Sequence, residues 1–243
     1  MIIEICCGSA EDAIRAYEAG ANRVELCSSL FLGGLTPSIG SLKTVKRHAP
    51  IEIMAMVRPR EGGFCYNDYD FQVCLEDAAA LLEAGADGLV FGFLTESGEV
   101  DIERTRKLVE IAGPKPCTFH RAIDVVPDYR RAIDQLVELG LTRILTSGQE
   151  ASVYEGAETV ADMIRYADGR IKIMPGAGIT LKNIDKIASM TACEEMHLAF
   201  YENLYDHSVA NNRSIFYGGA LYPPEEIYQR VNRDAVRSAR TQI

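Results

Sequence analysis

The chain has 243 residues, 47% hydrophobic and 25% charged, ordinary for a globular protein and enough for one large domain or two small ones. Its formal net charge of −10 argues against a general affinity for nucleic acid or an anionic membrane, since both need a basic face. No run approaches the ~20 apolar residues of a membrane span, and Met1–Glu4 begins a strand rather than a signal peptide, so a cytoplasmic protein is expected.

The first strand-like run, residues 2–6, alternates Ile3 and Ile5 with Glu4 and Cys6. Ser9 then opens a helix, with Asp12 three residues later as in a capping box. The second run repeats the residue types of the first, with Val24 and Leu26 alternating with Arg23, Glu25 and Cys27, so one face of each strand carries polar chemistry. Gly33-Gly34-Leu35-Thr36-Pro37-Ser38 follows and reads as a tight turn plus an N-cap, although free amides at the next helix start could also receive an anion. The seven cysteines lack CxxC pairs and fit reduced thiols better than a disulfide framework.

A repeat sits at three helix-to-strand junctions: Glu18-Ala19-Gly20, Glu83-Ala84-Gly85 and Glu138-Leu139-Gly140, each glycine suited to the left-handed turn that ends a helix. With the gaps filled, strands fall near residues 2–6, 22–27, 51–57, 87–92, 116–120, 142–146, 171–175 and 195–199, with helical patterns after the first seven. Eight alternations predict a (β/α)8 TIM barrel, although a doubly wound sheet shares the local signals. Residues 201–222 read as irregular, and Pro223-Pro224 as the start of a charged helix running towards Arg240. No linker-like segment divides the chain, so residues 1–243 are read as one domain.

In such a barrel, functional groups gather where strands end and βα loops begin. That rim collects Cys6, Cys27, Arg58, Arg60, His120, Arg121, Asp124, Thr146, Ser147, Gly176, Gly178 and His197. The alternation also points Glu4, Arg23, Glu25, Arg58 and His120 inward, where buried charge is costly unless paired, so function or an internal ion-pair network must explain them. As an enzyme, the protein would draw its catalytic groups from Glu4, Glu25, His120 and Asp124. A small polar, anionic substrate would be bound by Arg58, Arg60, Arg121, Ser147, His197 and the Gly176 and Gly178 turn, which follows strand seven where many barrels hold phosphate. Aligning the first two strands sets Glu4 beside Glu25 and Cys6 beside Cys27. Two thiolates that close suit a soft ion such as Cu(I), and no organic cofactor is expected.

Several long motifs occur in order: EIC (4–6), RVELC (23–27), GGLTPS (33–38), MVRPREGGF (56–64), TFHRAID (118–124), RILTSG (143–148) and PGAGI (175–179). Through them the chain resembles the CutC family of copper homeostasis proteins, described as TIM barrels. The resemblance implies cytoplasmic copper tolerance or trafficking, with Cu(I) ligands at the cysteines of the first two motifs, here Cys6 and Cys27. The chain departs from the family's small-residue, serine-containing ending after the eighth-strand histidine, at residues 198–201. Three readings result: a Cu(I)-binding protein, an enzyme of unassigned reaction at the charged mouth, or a scaffold forming a homo-oligomer through tyrosine-rich residues 201–228.

Overall fold

The fold was obtained as a computed structural model, which describes residues 1–212, 214, 215, 217 and 225–243. Eight parallel strands run β1 (Ile2–Cys7), β2 (Arg23–Leu26), β3 (Glu52–Met56), β4 (Gly88–Phe91), β5 (Cys117–Phe119), β6 (Arg143–Thr146), β7 (Lys172–Pro175) and β8 (Glu195–Leu198). They pair in the order β7-β6-β5-β4-β3-β2-β1-β8. β7 lies beside β8 without a hydrogen-bonded ladder, so the barrel is nearly closed. Helices α1 (Ala10–Glu18), α2 (Ile39–His48), α3 (Asp68–Glu83), α4 (Ile102–Ala112), α5 (Tyr129–Glu138), α6 (Ala157–Ala167) and α7 (Ile184–Thr191) alternate with the strands.

Local chemistry explains the alternation. Ser9 and Ser38 accept hydrogen bonds from the Asp12 and Ser41 amides, 3.1 Å each, and so cap α1 and α2. The repeated junction glycines Gly20, Gly85 and Gly140 take φ of +90°, +104° and +82°, values a side chain would oppose. Outward residues such as Ile3, Ile5, Val24, Leu26, Ile53 and Leu89 are buried in the main core between strands and helices.

Two expectations need correction. The tail is not irregular up to a helix: β9 (Tyr201–Tyr205) pairs antiparallel with β10 (Ile227–Val231), and α8 (Arg233–Gln242) begins only afterwards. Ile227–Val231 carries β-branched and aromatic residues that favour a strand, and α1 completes its hydrogen bonds. Asp12 Oδ1 accepts the Val231 N–H at 2.6 Å, and Arg15 Nε donates to the Val231 carbonyl at 2.7 Å. Pro223 and Pro224, the expected helix start, lie outside the described residues. The second correction concerns register. Glu4 stands opposite Arg23 and Cys6 opposite Glu25, because tilted barrel strands are staggered rather than aligned end to end.

That register creates an ionic layer low in the barrel. Arg23 bonds Glu4 through Nε and Glu195 through Nη2, the latter at 2.6 Å. Arg143 also bonds Glu195 and donates to Thr118 Oγ1 at 3.2 Å. All four charged residues are buried. Two carboxylates and two guanidiniums thus balance, which explains much of the interior charge without invoking chemistry. Arg23→Met strands two buried carboxylates with one remaining arginine, and should cost about 3–5 kcal/mol of stability in urea unfolding. A loss below about 1 kcal/mol would show that the layer holds nothing together.

Candidate functional site

Above the ionic layer, β1, β2 and β8 bring a second set of side chains together. Glu25 Oε2 lies 3.4 Å from Cys27 Sγ and 3.7 Å from Cys6 Sγ. One donor atom from each of these three residues lies within 4.8 Å of the other two. His197 Nδ1 meets Glu4 Oε1 at 2.7 Å, and its Nε2 comes to 3.8 Å from Glu25 Oε2. Glu4 therefore belongs to both layers, one oxygen on Arg23 and the other on His197. Cys27 also packs with Met54, Met56 and Val90 in a small apolar cluster inside the barrel, separate from the main core.

The electrostatics follow from these contacts. Burial alone would raise the Glu4 carboxyl, but the His197 hydrogen bond and the Arg23 charge outweigh it and bring the pKa down to about 2. Glu25 lacks an arginine, so burial dominates and pushes it up to about 8 despite His197. His197 is held well above its ordinary value: burial opposes its charge, but Glu25, Cys6 and Glu4 prevail. The Cys27 thiol bonds to Cys6 and holds the Cys6 thiol well below its usual range against burial, with His197 adding to the effect. The same bond, reinforced by burial, holds Cys27 well above. The two shifts run in opposite directions, so the pair's proton is drawn towards Cys27 and negative charge towards Cys6, on the side of His197.

Cys6, Glu25 and His197 form the floor of a cavity of about 340 Å³ at the barrel mouth, with Cys27 and Glu4 buried beneath it, walled by Met56, Phe64, Leu145 and Ala199 and rimmed by Arg58, His120 and Arg121. The β3 loop is tied by Arg58, whose Nη1 donates to the Leu32 and Gly34 carbonyls at 2.8 and 3.0 Å and whose Nη2 donates to the Gly62 carbonyl at 2.9 Å. Gly33 and Gly34 take φ of +86° and +85°, and added Cβ atoms would sit 3.3 Å from Arg58 Nη1 and Cys27 Sγ respectively. The glycines thus let the loop close over guanidinium and thiol.

Other expected rim residues are placed differently. Arg60 is turned to Asp70 at 2.8 Å and does not line the cavity. Asp124 is saturated by Arg121 at 2.7 Å, the Ser147 amide at 3.0 Å and hydroxyl at 2.9 Å, and Thr146 Oγ1, which makes it an organiser of the loops after β5 and β6. Gly176 packs on His197, where a Cβ would sit 3.2 Å from the histidine's own, while Gly178, at φ +74°, turns against Ser152. Three contributors are not among the site residues expected from the sequence: Arg143, Glu195 and Tyr201, whose hydroxyl donates to the Cys6 carbonyl at 2.9 Å. The period-two alternation that singled out Glu4 applies equally to Arg143 and Glu195.

Fold and site together define a TIM barrel whose mouth joins a thiol pair to buried acids and a histidine. The CutC family model matches residues 1–202. A CutC family protein of Treponema denticola is 55% identical over 92% of this chain and 91% of that protein. The human copper homeostasis protein cutC homolog is 41% identical over 90% of this chain and 81% of its own length. The crystal structure of a CutC from Streptococcus agalactiae, 36% identical, superposes with a TM-score of 0.77 over 81% of this chain and 97% of that one. The chain belongs to the CutC family.

Two outcomes test the electrostatics. Iodoacetamide should alkylate Cys6 at pH values well below those a free cysteine requires, since the thiolate persists there; mass-spectrometric rates across pH would show it, and a profile like free cysteine's would refute it. Glu25 binds a proton more tightly folded than unfolded, so it lowers stability as pH rises between about 4.5 and about 8. Glu25→Gln keeps the neutral form, and its urea midpoint should gain on the parent protein's across that window; an unchanged difference would count against a protonated Glu25.

Proposed function

We propose that this CutC protein serves copper homeostasis by binding Cu(I) between the Cys6 and Cys27 sulfurs at the barrel mouth. The observation that carries the reading is the convergence of both thiols, within 4.8 Å of each other and of Glu25, with Met54 and Met56 packed beside Cys27. Soft thiolates select Cu(I), and the thioethers of Met54 and Met56 keep hard ligands away from the inner side of Cys27. A four-ligand zinc site fits less well. It would need His197 and Glu25 beside both sulfurs, but among the described residues the donor set that holds the two thiols contains Glu25 and not His197. A reducing cytoplasm suits thiols of this kind.

A second reading, a small anionic ligand or substrate in the same mouth, is favoured by Arg58, a buried guanidinium whose hydrogen-bond acceptors are all backbone carbonyls.

For the copper site, anaerobic titration against a chromophoric Cu(I) chelator should find one tight equivalent per chain. Cys6→Ser and Cys27→Ser should each lose it, and Cys65→Ser, altering an exposed thiol outside the cavity, should keep it. His197→Gln, which removes the cation facing the thiolate, should weaken binding by about 10–100-fold. Stoichiometric binding in the double serine variant would refute the site.

A further inference from the structure

The anion reading can be taken further, because two residues that line the mouth, His120 and Arg58, hold buried polar atoms left without a hydrogen-bond partner among the described residues. His120 caps the turn after β5: its Nδ1 accepts the Ala122 N–H at 3.2 Å, which places the ring proton on Nε2. Nε2, on the far side of the ring, is buried and has no partner. The ring lies where a side chain just after β4 would otherwise be, since a Cβ on Gly92 would sit 2.5 Å from His120 Cε1 and Nδ1. Phe64 packs against it with ring centroids 4.8 Å apart, and the Arg58 guanidinium lies 5.6 Å from the Phe64 centroid. Burial, with the Arg58 charge adding to it, pushes the imidazole down to about 3, so it stays a neutral N–H donor.

Arg58 is a second incomplete donor. Its guanidinium has five N–H groups, of which the three carbonyl bonds use three. The buried Tyr66 hydroxyl sits beside Arg58 and interacts with its guanidinium, which leaves the second Nη2 N–H over. Arg121 completes the rim. Nε on Asp124 and Nη2 on Ser147, at 2.8 Å, hold it in place while its side chain remains 43% exposed, with Nη1 uncommitted. The charges around the cavity have counterparts: Glu4 has Arg23 and His197, Glu25 lies by His197, and Asp124 has Arg121. Arg58 has no such carboxylate among the described residues.

We infer that the mouth binds a small organic oxyanion carrying a neutral acceptor such as a carbonyl, with Arg121 and Arg58 holding the acid group and His120 Nε2–H donating to the acceptor. This deepens the anion reading and does not require copper to be bound. The apolar wall of Met56, Phe64, Leu145 and Ala199 would enclose the carbon skeleton, and the volume limits it to a small metabolite-sized molecule. A neutral imidazole donor and a guanidinium together suit a group with one charged and one polarised oxygen, such as a 2-oxo acid or a phosphate ester with a nearby carbonyl.

The test uses the whole protein without copper, so a failed copper site leaves its outcome unaffected. Calorimetric titrations would use inorganic phosphate and pyruvate as probes, with the His120 Nε2 resonance followed by NMR on 15N-histidine-labelled protein. The expected result is saturable binding of at least one probe, a His120 shift that saturates in step, and affinity at least about tenfold lower in Arg121→Gln. Phosphate binding alone would assign a phosphate ester, and pyruvate binding a carboxylate. No saturable binding of either probe, an unmoved His120 resonance, or undiminished affinity in Arg121→Gln would each overturn the inference.

Discussion

The two oxygens of Glu4 divide the barrel interior into a part that is structural and a part that is chemical. One oxygen closes the ionic layer with Arg23; the other holds His197 Nδ1 and thereby turns Nε2 towards Glu25 and Cys6. A buried carboxylate with two cationic partners stays ionised, and an ionised Glu4 helps keep His197 an imidazolium. The imidazolium in turn stabilises the Cys6 thiolate. Protonation or removal of Glu4 would act on all three steps at once, although Glu4 itself lies below the cavity.

The upper part of the mouth is set by loops closed onto one guanidinium. Arg58 gathers carbonyls from the segments after β2 and β3, and Gly33 and Gly34 allow the close approach. The antiparallel pair β9–β10 works from the opposite side: Arg15 and Asp12 of α1 dock it, and Tyr201 reaches the backbone of Cys6. Residues 203–243 lie beyond those matched by the family model, so β10 and α8 are attached to a barrel whose floor lies within it.

Much of this was legible in the sequence because barrel strands bury both faces, and their alternation marks which face looks inward. Glu4, Arg23, Glu25, Arg58 and His120 were placed inside on that basis, and all are buried. The junction glycines were readable because a helix end leaves few alternatives to the left-handed conformation. What failed to show depends on contacts remote in sequence. The stagger of β1 against β2 follows from barrel tilt, and β10 depends on Asp12 and Arg15, some 219 and 216 residues away. The GGLTPS loop faces the site through carbonyls around Arg58, which residue types alone do not distinguish from amides around an anion. Arg60 and Asp124 belong by type to a substrate site, but their partners, Asp70 for one and Arg121, Thr146 and Ser147 for the other, give them work within the loops.

The central claim is that the thiol pair, rather than the neighbouring acids and histidine, receives the metal. Copper K-edge X-ray absorption on the reduced protein loaded with one equivalent of Cu(I) tests it most directly. The account predicts a first coordination sphere dominated by sulfur that loses a scatterer in Cys27→Ser. A sphere of nitrogen and oxygen, or a spectrum unaltered by that substitution, would contradict it.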